Sequence, residues 1–186
     1  MLISVIVVLI YLSFIIEFLL WPVPSEASTG QLLNSWRSNR TKHNLIYLVI
    51  FVFNAFFTLA PLVVSLYSLF YRDLFQIDLF TNIGLTLAWI GRVVSVSGAY
   101  TLHKSNLKFM VTHSMFKWSR NPISLGLFIT FFGLLLVIPH FLMIIGYIVF
   151  VLNINYKISI EEKFLQRKYG KTYHDYIRST PKYLIK

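Results

Sequence analysis

Three observations predict an all-α integral membrane bundle of five transmembrane helices. The 186-residue chain is 56% hydrophobic and only 13% charged, which is about half the charged fraction of a typical soluble domain. Its apolar runs are long enough to cross the hydrocarbon layer, which takes about 20 residues in a helix. Its basic residues collect on alternate loops. The chain has no cysteine, which excludes a disulfide framework and a thiol nucleophile.

The apolar runs define the spans. We predict them at about residues 1–20, 45–70, 74–100, 123–138 and 140–155. The first is interpreted as an uncleaved helix, because it lacks a basic n-region and a small-residue cleavage site. The last two form a hairpin, because the apolar stretch Ile123–Asn153 is broken at Pro139-His140. Residues 1–186 are then a single membrane domain that ends in a short cytoplasmic helical tail.

The basic residues predict the orientation. Of 17 Lys and Arg residues, 15 lie in loop 21–44, loop 101–122 and the tail from Tyr156. By the positive-inside rule these segments are cytoplasmic. The protein is then expected in the cell membrane, with its N-terminus outside the cell and its C-terminus in the cytoplasm. The net charge of +10 is interpreted as attraction to anionic membrane lipid, and no nucleic-acid partner is predicted.

Small residues and charges within the spans predict how the helices pack. Glycines recur at heptad spacing on two spans and indicate close helix packing: Gly84, Gly91, Gly98, Gly126 and Gly133. Arg92 lies within the third span, and we expect it to pair with a polar group inside the bundle. Glu17 lies near the end of the first span, and we expect it to snorkel to the interface.

Polar residues concentrate in two segments, Thr101–Ser124 and Tyr156–Lys186, that flank the hairpin. Because a hairpin returns the chain to the same side, both segments are expected to meet at one membrane-surface site. Pro122 is placed to begin the fourth helix, whose free N–H groups suit an anion such as a carboxylate. Lys157 and Glu161 are four residues apart and share a helix face.

Other polar residues have structural interpretations. We expect Gly170 to end a short helix, and Tyr173 and Tyr176 to anchor the tail at the membrane interface. His103 and His113 are interpreted as interfacial, although either could serve as a base for an amine acceptor. No catalytic residue is assigned, and no metal site is predicted.

Two motifs bracket the predicted hairpin. They comprise Val111-Thr112, Phe116, Arg120-Asn121-Pro122-Ile123 and Leu125-Gly126, followed by Glu161-Glu162, Leu165, Tyr169-Gly170, Tyr173 and Tyr176. Together they resemble the isoprenylcysteine carboxyl methyltransferase family, and they are similar to the related phospholipid N-methyltransferases. The resemblance implies a membrane-embedded enzyme that uses S-adenosylmethionine, with a cofactor-binding part at 101–186. The methyl acceptor would be lipophilic or small and would meet the cofactor at the cytoplasmic face.

The resemblance also implies the residues of the site. The cofactor contacts would be Lys108, Phe109, Met110, Val111, Phe116, Asn121, Pro122, Ile123, Ser124 and Glu161. Lys157 would bind the substrate carboxylate. The family usually has Gly at position 114, Tyr at position 124 and Arg at position 157, where this chain has Ser114, Ser124 and Lys157. These differences leave two alternatives open, a non-catalytic homologue or helper subunit and a phospholipid N-methyltransferase.

Overall fold

The described chain is entirely helical apart from its connections. The computed structural model describes residues 1–21, 44–71, 74–105 and 110–184, and these residues contain no strand. The all-α prediction is therefore confirmed. The helices of the described residues are α1 (Leu2–Leu20), α2 (Asn44–Phe70), α3 (Leu79–Lys104), α4 (Pro122–Val137), α5 (Phe141–Tyr169) and α6 (Lys171–Ser179), with a 3₁₀ turn at Ser114–Lys117.

Helix length separates α4 from the other apolar helices. Helices α1, α2, α3 and α5 are long and apolar enough to cross a membrane. Helix α4 is equally apolar but has 16 residues, so the count of five spans stays a prediction. Helix α3 begins at Leu79, later than the start of the predicted span at 74. The reason is a cap, because the Asp78 carboxylate accepts a hydrogen bond from the Thr81 N–H at 2.7 Å.

The predicted hairpin is present between α4 and α5. Helix α4 ends at Val137 and α5 begins at Phe141, so the break at Pro139-His140 is confirmed. Helix α5 then runs unbroken to Tyr169. The prediction of a separate short helix that ends at Gly170 is therefore wrong, because the residues before Gly170 continue α5. The only separate helix in the described part of the tail is α6. Gly170 ends α5 as predicted, with a φ of 54° that favours glycine.

Helices α3 and α4 form the most extensive helix pair among the described residues. Their backbones approach so closely that a Cβ on Gly126 would lie 2.5 Å from both the Gly91 carbonyl oxygen and the Ser95 nitrogen. The Thr130 hydroxyl donates to the Gly126 carbonyl at 2.8 Å and lies 3.3 Å from the Ala88 carbonyl. The prediction of close helix packing at the glycines is confirmed.

A buried ion pair joins α1 to α3. Arg92 is 2% exposed, and its guanidinium pairs with the Glu17 carboxylate at 2.5 Å. Its Nε donates to the Ser13 hydroxyl at 2.8 Å, and the Phe14 ring lies 3.6 Å from the guanidinium carbon. The expected partner of Arg92 is thus confirmed. The expectation that Glu17 snorkels outward is wrong, because the carboxylate turns inward to compensate a desolvated cation.

Gly126→Ala should destabilise the bundle by about 1–3 kcal/mol, because the added methyl group meets backbone atoms that cannot move aside. The free energy of unfolding, measured by titration of the detergent-solubilised protein with a denaturing detergent, checks this. Thr86→Leu is the matched control, since Thr86 is exposed on α3. Equal stability of Gly126→Ala and the wild type would contradict the close approach.

Arg92→Met should cost about 3–5 kcal/mol, because it leaves the Glu17 carboxylate buried without its counter-charge. The double variant Arg92→Met/Glu17→Leu removes both charges and should recover most of that loss. The same denaturation assay compares the three proteins. If the double variant were no more stable than Arg92→Met, the loss would not come from the unpaired charge.

Candidate functional site

A cavity of about 270 Å³ lies where the start of α4, the last turns of α5 and α6 come together. We call it the site cavity. Its lining residues are Leu102, Met110, Val111, Phe116, Arg120, Asn121, Pro122, Ile123, Ser124, Leu127, Ile154, Lys157, Ile158, Glu161, Glu162, Phe164, Leu165, Lys168, Tyr169, Tyr173 and Tyr176.

The site cavity brings together the residues that the sequence singled out. The predicted residues in its wall are Met110, Val111, Phe116, Asn121, Pro122, Ile123, Ser124, Lys157 and Glu161. The other two, Lys108 and Phe109, lie outside the described residues. The segments 110–124 and 157–176, remote along the chain, thus meet at one cavity. The binding roles of these residues stay predictions.

The first turn of α4 supplies hydrogen-bond donors at the wall of the site cavity. Pro122 occupies the first position of the helix, where its missing N–H removes nothing from the helix. Asn121 precedes it but makes no side-chain capping bond, because its amide instead donates to the Lys182 carbonyl at 3.2 Å. The N–H groups of Ile123 and Ser124 belong to the first turn, which has no intrahelical acceptors for them. This positive helix end suits an anion.

One face of α5 forms the opposite wall. Its lining residues lie on successive turns of the helix: Ile154, Lys157, Ile158, Glu161, Glu162, Phe164, Leu165, Lys168 and Tyr169. Burial raises the pKa of Glu161, which lies beyond the end of the predicted span at 155. Lys157 lowers that pKa and Glu162 raises it, both by a smaller amount. Glu161 is therefore a partly desolvated carboxylate, suited to a cationic group.

An ion pair connects the two walls. Arg120 Nη1 lies 3.0 Å from Glu162 Oε1, and the side chains are only 12% and 21% exposed. The buried Nε of Arg120 makes no hydrogen bond within the described residues. Both residues belong to the two motifs of the sequence, but the motifs do not predict this ion pair. The adjacent acids Glu161 and Glu162 do not indicate which of them is paired, because Arg120 lies more than forty residues earlier in the chain.

The tyrosines of α6 close the site cavity instead of anchoring the tail. Tyr173 is 2% exposed and Tyr176 is 8% exposed, so the prediction that they anchor the tail at the membrane interface is wrong, because both rings are buried within the protein. Three residues apart on one helix, they turn the same face inward. The Tyr176 hydroxyl donates to the Phe116 carbonyl at 2.6 Å. Burial, with a smaller effect of Glu162, raises the pKa of Tyr173 to about 12, so its hydroxyl stays protonated at neutral pH.

Ser114 adopts a backbone conformation that favours glycine. Its φ of 56° lies in the left-handed region, at the position where the family pattern usually has Gly. The Thr101 hydroxyl donates to the Ser114 hydroxyl at 3.2 Å. The 3₁₀ turn that Ser114 begins carries Phe116 to the wall of the site cavity. The described residues contain no group of three or more His, Asp or Glu that could hold a metal ion.

Comparison with known proteins gives one family match, and it covers most of the residues that line the site cavity. The sequence model described as phospholipid methyltransferase matches residues 74–172, which is just over half of the chain. The match contains α3, α4, α5 and every described residue of the site cavity wall except Tyr173 and Tyr176. No curated protein and no solved structure matches the chain.

The matched family is the broader one that includes the isoprenylcysteine methyltransferases. The resemblance stated from the sequence is therefore confirmed at that level, and the narrower assignment stays a prediction. The chain belongs to the phospholipid methyltransferase family, a family of membrane methyltransferases.

Proposed function

We propose that this protein transfers a methyl group from S-adenosylmethionine to a lipophilic or small acceptor. The family supports methyl transfer, and one observation of the structure supports a single small-molecule site. Nine residues that the family resemblance implies for the site, from two remote segments, line a single cavity. A cavity with a few convergent polar groups in an otherwise apolar wall is the usual form of a small-molecule site.

The donor set of the site cavity fits the proposed cofactor. S-adenosylmethionine supplies a methyl group activated on a sulfonium, and it also carries an ammonium, a carboxylate and an adenosine. The Glu161 carboxylate would pair with the ammonium. The amides of Ile123 and Ser124 at the start of α4 would hold the carboxylate. The Phe116 ring offers a π face to a cation.

The remaining walls suit an acceptor with an apolar part. Four aliphatic side chains from three helices contribute to the lining: Leu102, Leu127, Ile154 and Ile158. Lys157 is exposed at the same cavity and would pair with an anionic group of the acceptor. A lysine ammonium is a point charge without the planar fork of arginine, so it accepts a carboxylate or another oxyanion without selecting for bidentate geometry.

The chain's role in the reaction would be alignment and exclusion of water. Methyl transfer to a nucleophile depends mainly on holding the reacting atoms in line in a desolvated site. The Arg120–Glu162 ion pair fixes α5 against the loop before α4. The buried rings of Tyr173 and Tyr176 cover the side next to α6. These residues would keep the reacting groups apart from bulk water.

We further propose that the site cavity faces the cytoplasm. The last turns of α5 and helix α6, which border the cavity, carry exposed basic side chains: Lys163, Arg167, Lys168, Lys171 and Arg178. Positive residues next to membrane spans favour the cytoplasmic side. With five spans, this orientation would place the N-terminus outside, and the cavity would lie next to an anionic leaflet.

Glu161→Gln should weaken the binding of S-adenosylmethionine more than tenfold, because it removes the charge that pairs with the ammonium while keeping the size of the side chain. Isothermal titration of the purified protein in detergent measures the dissociation constant. Asp175→Asn is the matched control, since Asp175 is an exposed carboxylate of α6 outside the cavity wall. Equal affinity of Glu161→Gln and the wild type would remove the role of Glu161.

No saturable binding by the wild type at millimolar cofactor would favour a non-catalytic homologue or helper subunit.

Cells that overproduce the protein should accumulate a methylated lipid or thioether that is absent from cells lacking it. Mass spectrometry after feeding isotope-labelled methionine detects the product without assuming a carboxyl, amine or thiol acceptor. Cells producing Glu161→Gln at the same level serve as the control and should lose most of the label. Identical labelled species in all three cultures would contradict methyl transfer by this protein.

A further inference from the structure

The chain after α6 folds back onto the site cavity. We call residues Thr180–Leu184 the C-terminal strap, and residues Ser119–Asn121, just before α4, the pre-α4 turn. The strap lies beyond the family-matched residues 74–172. The Thr180 N–H donates to the Tyr176 carbonyl at 2.9 Å and ends α6. From there the strap contacts the pre-α4 turn and the two helices that border the site cavity, α4 and α5.

Three hydrogen bonds tie the strap to the pre-α4 turn. The Arg120 N–H donates to the Pro181 carbonyl at 3.0 Å. The Lys182 carbonyl accepts from the Ser119 hydroxyl and from the Asn121 amide nitrogen, each at 3.2 Å. The acceptors are all backbone groups of the strap. These bonds therefore depend on the path of the strap rather than on its side chains.

One side chain ties the strap to the helices. The Tyr183 hydroxyl donates to Asn155 Oδ1 at 2.6 Å. The Tyr183 ring also packs edge-on against Phe128 of α4, with 5.5 Å between ring centroids. Asn155 is the neighbour of Ile154 and lies two residues before Lys157, both of which line the cavity. The strap thus spans from the pre-α4 turn to α4 and α5.

We propose that the C-terminal strap positions Arg120 and Asn121 at the site cavity and thereby sets the affinity for the cofactor. Backbone carbonyls of the strap accept hydrogen bonds from the Asn121 side-chain amide and from the Arg120 N–H. These bonds fix the orientation of the pre-α4 turn. That turn determines where the first amides of α4 point and where the Arg120 guanidinium meets Glu162. The strap acts through these residues and is a positioning element. The effect on cofactor affinity rests on the proposed function.

Two changes to the full-length protein test the proposal. A variant that ends at Ser179 removes the whole strap, and Tyr183→Phe removes only the hydroxyl that bonds to Asn155. Leu184→Ala is the matched control, because the Leu184 side chain belongs to the strap but is 62% exposed. The measurements are hydrogen exchange of peptides covering residues 119–121 and 84–95, the dissociation constant for S-adenosylmethionine, and the unfolding midpoint.

We expect faster exchange at 119–121 in both strap variants, with exchange at 84–95 in α3 unchanged. Cofactor affinity should fall about three- to tenfold in Tyr183→Phe, the range expected for one lost hydrogen bond, and further in the truncated variant. Leu184→Ala should match the wild type in every measurement. A role in overall stability alone would instead raise exchange in both peptides together with a lower unfolding midpoint.

Unchanged exchange at 119–121 in Tyr183→Phe would overturn the proposal, whether or not the truncated variant folds. So would wild-type cofactor affinity in Tyr183→Phe. If the wild type itself failed to bind S-adenosylmethionine, the proposed function would fall, and exchange at 119–121 would still decide whether the strap positions the turn.

Discussion

The backbone contact between α3 and α4 is the constraint on which the rest of the structure depends. Helix α4 has only 16 residues, and it is held in place where Gly91 and Gly126 let the two backbones touch. Without a strong hydrophobic force between helices in lipid, this close packing supplies the attraction. Because α4 is fixed, its first turn stands at the site cavity. The hairpin then returns α5 to form the facing wall.

Two ion pairs with little solvent exposure add specificity to this packing. Arg92–Glu17 fixes α1 against α3, and Arg120–Glu162 fixes the pre-α4 turn against α5. A buried pair contributes little net stability, because desolvation offsets most of the attraction. A misplaced helix would leave one charge alone, however, and that costs far more. Each pair therefore selects one arrangement of helices.

Local patterns predicted most of the fold, and long-range contacts explain what they missed. Hydropathy, the break at Pro139 and the glycine spacing identified the helices, the hairpin and the close packing, because each depends on neighbouring residues. Glu17 and Tyr173 were expected at the interface, since charged and amphipathic side chains prefer it. Glu17 pairs with Arg92, and Tyr173 is buried at the site cavity. Both environments are built by residues distant in sequence, which leave no local signal. The predicted fifth span also ended at 155, because hydropathy falls where polar residues begin. The helix itself continues to Tyr169, since a helix can leave the apolar layer without ending.

The unbroken course of α5 has a mechanical consequence. Its 29 residues make a rod of about 43 Å at about 1.5 Å per residue, longer than the roughly 30 Å hydrocarbon layer. The rod has no hinge between its lipid-facing turns and Glu161. Any tilt that a thinner bilayer imposes on the lipid-facing turns would therefore be carried undiminished to the turn that holds Glu161.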